Sequence, residues 1–379
     1  MSVLIVHNYY KERGGEDNVF ENEYKILKSA GFNVSKLDIH NNQIISLKDK
    51  LLLAIKLFYN SNFIKKLKKI INKKKIKIVI IHNYFPLISI FSYFYLKSKG
   101  IKIYQVIHNY RFLCSKGIFF RDGKICNICN KNKLFGFFFK CYKNSYLFSF
   151  ALYLFQILTI NNKYWIKNID GFIFLSEFQK DIFNNTKIPE NKKLLKHNFI
   201  NQTKIELNQR NKFYLFIGRI SEEKGILRLI DLWPSQNNLK LIICGEGPLK
   251  NDLNIKIKKR KNIENLGFKK SIEILTLKKN ATCIIFSSLW YEVFPLSIIE
   301  CIYNGLPILI ANNPNIRRIY PELNNNFYFD INNKKAFLKK LENISNIQKK
   351  ELNNTYKKII NRYSEKNLIK FYKEKIIDQ

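Results

Sequence analysis

The sequence predicts an α/β protein made of two Rossmann-like domains that face each other across a cleft. Three observations carry this. The chain has 379 residues, and at about 150 residues per domain that length suggests two. Short apolar runs rich in β-formers alternate with helical patterns, which implies parallel sheets covered by helices on both faces. The alternation occurs twice, in two series joined by a polar stretch.

In the first series, residues 3–7, 76–82, 101–107 and 171–175 read as buried strands, with helical stretches at 17–30 and 177–184. The second series has strands at 213–217, 239–244, 283–286 and 306–311, and helices at 225–233, 249–259 and 296–303. The polar stretch 201–211 (NQTKIELNQRN) is the expected linker. The expected division is therefore 1–200, then 201–355, then a C-terminal helix at 356–379 that packs back on the first domain. No internal repeat of fixed period is visible.

Hydrophobic residues make up 46% and charged residues 25%, ordinary values for a globular protein. They exclude a disordered chain, a collagen-like repeat and a disulfide mini-scaffold. Seven cysteines are too few for a disulfide framework at this length, and no charged-then-apolar signal peptide opens the chain. The expected compartment is reducing and cytoplasmic. The longest uncharged apolar run, 146–160, includes Ser149 and Gln156 and falls short of the roughly 18 residues a membrane-spanning helix needs.

The net charge is +37. Lys, Asn, Ile, Phe and Tyr are all abundant and all have AT-rich codons, so genome composition is one source of the charge. Attraction to anionic partners is the other. Only ten of the 66 basic residues are Arg, whereas nucleic-acid readers favour the bidentate guanidinium, and no nucleic-acid-reading module is present. No nucleic-acid partner is expected.

Ligands of open α/β sheets bind at the carboxyl ends of the strands, so the residues after each strand are the candidate site. After the first strand come Gly14 and Gly15, then a helix. Glycines let backbone approach a ligand, and a helix N-terminus favours phosphate. All five histidines precede an Asn, and His7, His82 and His108 close strand signals. His108, followed by Asn109-Tyr110-Arg111, is the candidate of most interest. In the second series, Arg219 and Lys224 straddle a tight loop before a helix, a cationic clamp for a diphosphate that needs no metal. Gly245 opens a Gly-Glu-Gly-Pro turn into the next helix. Glu292 lies in the loop after strand 283–286; Leu296 opens the helix that follows, and Glu300 lies further along it. A loop carboxylate can accept from sugar hydroxyls, and one on the helix from a ribose diol. Ser297 and Ile298 offer helix-start N–H groups to phosphate.

Five motifs in order carry a specific resemblance: Gly14-Gly15, Gly218-Arg219 with Glu223-Lys224-Gly225, the turn at Gly245, and the pair Glu292 and Glu300 with seven residues between them. Over about residues 1–375 the chain resembles the retaining GT-B glycosyltransferases of family 4 type (glycosyl transferases group 1), in their bacterial surface-polysaccharide branch. The resemblance implies an acceptor-side N-terminal domain and a C-terminal domain that binds a nucleotide-diphospho-sugar. It implies that Arg219 and Lys224 hold the diphosphate, Glu292 the transferred sugar and Glu300 the ribose. Gly15 lets backbone near the phosphate, and His108 sits beside the reacting sugar. Sugar moves with retained anomeric configuration to a glycan or lipid-linked acceptor, in capsule, lipopolysaccharide or related synthesis. No cofactor is expected for catalysis, and the absence of any Asp-x-Asp sequence fits chemistry without a divalent ion. Two departures stand out: Pro295 where many members have Gly, and Asn312-Asn313-Pro314-Asn315 where members often have a glycine pair. A sugar-nucleotide epimerase is the rival enzyme reading, and Glu292 with Glu300 disfavours it.

Two features fall outside those motifs. Cys114, Cys126, Cys129 and Cys141 form a C-x2-C core with eleven residues separating each outer cysteine from it. This insertion, 114–141, reads either as a structural zinc site or as buried free thiols. In the Lys-rich stretch 51–77, Leu53, Leu57, Ile64, Leu67 and Ile71 fall at helical spacing. A basic amphipathic helix suits an anionic membrane surface, so a peripheral position on the inner face of the plasma membrane is expected. The aromatic run 134–139 (LFGFFF) either inserts beside it or belongs to the core.

Overall fold

Runs of β-branched and aromatic residues, too short for helices and bounded by polar residues, form the strands of two parallel sheets. The computed structural model describes residues 1–11, 14–44, 47–200, 206–207, 213–235 and 239–378. Most of the expected linker, 201–205 and 208–211, lies outside the described residues. The chain divides into two compact units. The first comprises Met1–Phe119, Cys126–Phe199 and Glu365–Gln379, the second Phe120–Ile125 and Ile200–Ser364.

In the first unit β1 (Val3–Tyr9) pairs in parallel with β2 (Val34–His40) on one side and β3 (Ile78–Ile81) on the other. β4 (Lys102–Val106) pairs with β3. A short antiparallel hairpin, β5 (Phe120–Arg121) and β6 (Lys124–Ile125), belongs to the second unit. The sheet then continues through β7 (Gly171–Phe174) and β8 (Lys193–Leu195), giving the order β2-β1-β3-β4-β7-β8. β1, β3 and β7 are buried along their whole length, as expected of strands covered on both faces.

The Lys-rich stretch expected as one helix over 51–77 is two helices, Leu47–Phe58 and Ser61–Lys74. Asn60 makes the break. Its side-chain oxygen accepts from the Phe63 N–H at 3.2 Å, and its amide donates to Leu87 O at 2.8 Å, so it is committed to capping the second helix. That helix buries Phe63, Ile64, Leu67 and Ile71 and leaves Lys65, Lys66, Lys68 and Lys69 exposed.

In the second unit β9 (Phe213–Ile217) is flanked by β10 (Lys240–Cys244), while β11 (Ile263–Gly267), β12 (Cys283–Phe286), β13 (Ile308–Ala311) and β14 (Tyr328–Phe329) complete the parallel order β11-β10-β9-β12-β13-β14. Its core joins Leu229 and Trp233 from one helix to Ile243 and Ile285 from the sheet and Phe337 and Leu341 from helix Lys334–Arg362. Buried polar tips find partners: Trp233 Nε1 donates to Leu239 O at 2.9 Å, and Tyr214 OH to Leu341 O at 3.0 Å.

The C-terminal helix Glu365–Tyr372 belongs to the first unit, where Tyr372 OH donates to the buried Glu23. Lys196 Nζ reaches both Glu23 oxygens, at 2.6 and 2.5 Å. Both side chains are essentially inaccessible to water, so each charge depends on the other. Lys196→Met leaves a buried carboxylate without its cation. It should cost about 3–5 kcal/mol, seen as a lower urea midpoint in chemical denaturation.

Candidate functional site

At the carboxyl ends of β9 and β10 two loops are stitched together through backbone. Gly218 N donates to Cys244 O at 3.0 Å, Ile220 N to Glu246 O at 2.9 Å and Leu249 N to Ile220 O at 3.0 Å. A Cβ on Gly245 would lie 1.8 Å from Gly218 O, so no other residue fits there. Gly225 takes φ 67° between the 3₁₀ turn Glu222–Lys224 and the helix Ile226–Leu232, and a Cβ there would meet Ser287 O at 2.2 Å. Glycine at these positions serves backbone against backbone. Arg219, between the stitched loops, is exposed.

The loop after β12 brings Glu292 to the same end of the sheet. Three donors from separate places converge on its Oε1: Lys224 Nζ at 2.6 Å, Ser288 Oγ at 2.5 Å and Trp290 Nε1 at 2.8 Å. Lys224 also lies over the Trp290 ring, 5.2 Å from its centroid. Asn315 grips the backbone of Glu292 from both sides, accepting from its N–H at 3.1 Å and donating to its carbonyl at 2.6 Å. Asn313 Nδ2 donates to Trp290 O at 2.7 Å. The stretch Asn312–Asn315, a departure from the family pattern, is thus the brace of the Glu292 loop. Spacing alone pointed to Glu292 and Lys224. It did not identify Ser288, Trp290, Asn313 or Asn315, although the density of side-chain amides around Pro314 was a visible signal.

Pro295 caps and Leu296 begins the helix Leu296–Tyr303. Proline has no N–H to offer here, but Tyr320 OH donates to its carbonyl at 2.8 Å and fixes the turn. Glu300, partly exposed in the second turn, is held through Oε2 by Lys278 Nζ at 2.8 Å. Lys278 is a further residue the sequence reading missed.

In the first unit His108 follows β4, half-buried. It shares a hydrogen bond with His82, Nε2 to Nδ1 at 3.1 Å, with the rings stacked. His82 Nε2 lies 3.7 Å from Glu23 Oε1. Burial above all, then the charge of neighbouring groups (His82, His7 and Lys196 at His108; Lys196 and His7 at His82), holds both imidazoles well below their ordinary range, so both are neutral at neutral pH. Gly14 and Gly15 stand in open space at the start of helix Gly15–Ser29, where a Cβ would touch nothing. Beside them burial, then the Asp17 charge, pushes the Glu16 carboxyl up to about 8. Asn83 Nδ2 donates to Glu16 at 3.2 Å. Arg111 acts on the same group and stacks 4.4 Å above the Phe85 ring.

Of the four cysteines that read either as a zinc set or as free thiols, Cys114 and Cys129 are buried and Cys126 and Cys141 are partly so. Cys114 and Cys129 share a thiol hydrogen bond, and backbone N–H groups at Gly117, Ile118 and Phe119 help bring the Cys114 thiol down to about 6. Cys141 acts on Cys129, while the backbone of Cys126 pairs with Phe119 O. Among the described residues no group of three or more His, Cys, Asp or Glu side chains is placed to hold a metal ion.

The histidine pair sets a pH dependence. Its neutral form is favoured by folding, while the unfolded chain takes up protons near pH 6.5. The contribution is complete above that value and is lost as pH falls. Glu16, raised to about 8, gains over the same range, so the pair is read by difference: from about pH 7.5 to about pH 5 wild type should lose melting temperature relative to His82→Gln.

Comparison with known proteins fits this geometry. Residues 198–363 match the family model of glycosyl transferases group 1. An uncharacterized glycosyltransferase of Methanocaldococcus jannaschii is 31% identical over 195 residues, 45% of this chain and 47% of that protein. The alpha-monoglucosyldiacylglycerol synthase of Streptococcus pneumoniae is 23% identical over 184 residues, 41% of this chain and 40% of that one. The chain thus spans less than half the length of these relatives. Among solved structures, sucrose-phosphate synthase of Thermosynechococcus elongatus superposes with TM-score 0.70 at 11% identity, and HepE of Anabaena, solved with UDP-glucose, with 0.66 at 11%, each over 100% of both chains. The fold is of the GT-B type, and it is over residues 198–363 that the chain is similar to glycosyl transferases group 1.

Proposed function

We propose that the protein is a glycosyltransferase that moves a sugar, with retained anomeric configuration, from a nucleotide-diphospho-sugar to a glycan or lipid-linked acceptor during bacterial surface-polysaccharide synthesis. The observation that carries this is the convergence of Lys224, Ser288 and Trp290 on one oxygen of Glu292. It presents an oriented carboxylate beside the Lys224 cation at the carboxyl end of a sheet. HepE, solved with UDP-glucose, supports a UDP-sugar as the first donor to test. The S. pneumoniae relative, by its name, supports a lipid-borne acceptor.

In this reading the diphosphate binds Arg219 and Lys224. Lys224 spends one of its three N–H donors on Glu292 and has two for phosphate oxygens. As the glycosidic bond to the donor breaks, negative charge grows on the diphosphate, and these two cations stabilise it without a divalent ion. Glu292 accepts from hydroxyls of the transferred sugar. Glu300, steadied by Lys278, accepts from the ribose diol. Gly14, Gly15, Gly245 and Leu296 contribute backbone at the donor's phosphates. His108, neutral, serves as a hydrogen-bonding partner for the reacting sugar. The four cysteines have no part in this chemistry. The protein works in the cytoplasm, at the inner face of the plasma membrane.

Calorimetric titration of UDP and UDP-glucose tests the roles. Glu300→Ala should weaken both ligands. Glu292→Ala should weaken UDP-glucose more than UDP, since UDP loses only the steadying of Lys224 while the sugar loses its acceptor as well. Arg219→Ala should cut turnover about a hundredfold or more. Loss of both ligands in Glu292→Ala with no loss in Glu300→Ala would reverse the two assignments. A wild-type protein that binds no sugar nucleotide would overturn the donor reading.

A further inference from the structure

The helix Tyr146–Leu158 (YLFSFALYLFQIL) contains no charged residue. Its inner face buries Ala151, Leu152 and Phe155. Its outer face is also apolar: Leu147, Phe150, Ile157 and Leu158 are each more than a third exposed, as are Phe138 and Phe139 on the short helix that packs against it. A helix at a water surface should be polar on its outer side, and contiguous exposed apolar surface marks an interaction site. At 13 residues the helix is about 20 Å long, and no helix among the described residues is long and apolar enough to cross a membrane.

The surroundings of this face are cationic. Lys140 Nζ sits 4.4 Å over the Tyr146 ring and Lys143 Nζ 5.3 Å over Phe148, which holds both charges at the rim of the apolar surface. Helix Leu47–Phe58 packs against both Tyr146–Leu158 and Ile90–Ser98. Lys68, one of the four exposed lysines of helix Ser61–Lys74, lies over Tyr95 of Ile90–Ser98. Between Asp49 and Asp170 the chain has one acidic residue, Asp122, and it belongs to the second unit. A second copy docked through this face would bring two lysine rims together with no carboxylate to pair them. Anionic lipid supplies both what the face lacks, a hydrocarbon boundary and negative charge.

We infer that the outer face of helix Tyr146–Leu158, with Phe138 and Phe139, lies in the interfacial layer of an anionic bilayer, and that the lysines of Ser61–Lys74 contact lipid headgroups beside it. The inference rests on the proposed lipid-borne acceptor only for its biological sense; the binding itself needs no acceptor. Flotation with vesicles of phosphatidylcholine, alone or mixed with phosphatidylglycerol, tests it. The protein should float with the mixed vesicles and not with the neutral ones, and high salt should release it only in part, because the apolar contact is not screened. Leu147→Ser with Phe150→Ser should lower partitioning about tenfold or more, with unchanged thermal melting and unchanged UDP-glucose affinity. Replacing Lys65, Lys66, Lys68 and Lys69 with Glu should also lower it and remove the salt dependence. Absence of binding to the mixed vesicles, equal binding by the serine variant, or a wild-type dimer in sedimentation velocity that the serine substitutions dissociate would each overturn the inference. Donor titration is read separately, so failure of the transferase reading leaves this result standing, and the reverse.

Discussion

The second unit is organised around one oxygen atom. Glu292 is almost fully buried, and a carboxylate taken out of water must be met by donors or it destabilises the fold. Its Oε1 is met by three, and they come from the loop after β9 and from two positions flanking the turn after β12. Satisfying that oxygen therefore pulls the two loops together. The backbone follows: Ser287 Oγ donates to Lys224 O and Leu289 N to Glu223 O, and Gly225 makes room for Ser287 O. The cation and the carboxylate that a sugar nucleotide would meet are fixed by the same set of contacts. Lys224 and Glu292 are thus held in place by the protein alone, and for the proposed donor that is the condition for electrostatic stabilisation without reorganisation.

The first unit repeats the device with a different outcome. Glu23, wholly buried, is satisfied by Lys196 and Tyr372, with His82 close by. Here the donors come from distant parts of the sequence: the segment after β8 and the C-terminal helix. A buried carboxylate thus ties the chain's last helix to its first sheet. The same cluster ends at His108, whose ring is held by His82. Structural satisfaction at one end and a positioned neutral imidazole at the other belong to one network.

The strands legible in the sequence were the inner ones. Runs 3–7, 76–82, 101–107, 171–175, 213–217, 239–244, 283–286 and 306–311 all correspond to strands with neighbours on both sides. Of the strands that periodicity did not reveal, β5 and β6 are the two-residue strands of the separate hairpin, and β2, β8, β11 and β14 are the four edges of the large sheets. An edge strand has one partner and a partly solvated face, so β2 (VSKLDIH) and β11 (IENLG) mix polar with apolar residues and lose the continuous apolar signal. The site divides in the same way. Glu292, Glu300 and Lys224 stand in fixed local motifs. Lys278 and the amides of Asn313 and Asn315 reach the site only through the order of β9, β12 and β13. For the cysteines, spacing left a zinc set and buried thiols both open; the backbone turns Cys114 toward Cys129 and into a nest of amides.

Base composition explains only part of the lysine excess. It raises Lys, Asn, Ile and Phe throughout the chain, but it does not remove acids from one region. The second unit carries carboxylates regularly, from Glu222 and Glu223 through Asp231, Glu246, Glu264 and Glu273 to Glu322, and several pair with lysines: Lys240 with Glu264, Lys250 with Glu246, Lys256 with Asp231. In the first unit, 50–119 and 126–169 hold no acid at all. Surface lysines there have little to pair with except solvent or an external anion, and an unpaired field of one sign repels itself. The exposed aromatic and aliphatic side chains of Tyr146–Leu158 lie in this same acid-free region. Either feature alone has an ordinary explanation in composition. Their coincidence on the acid-free stretches of one unit, while the other unit carries its carboxylates spread along the chain, is a property of position.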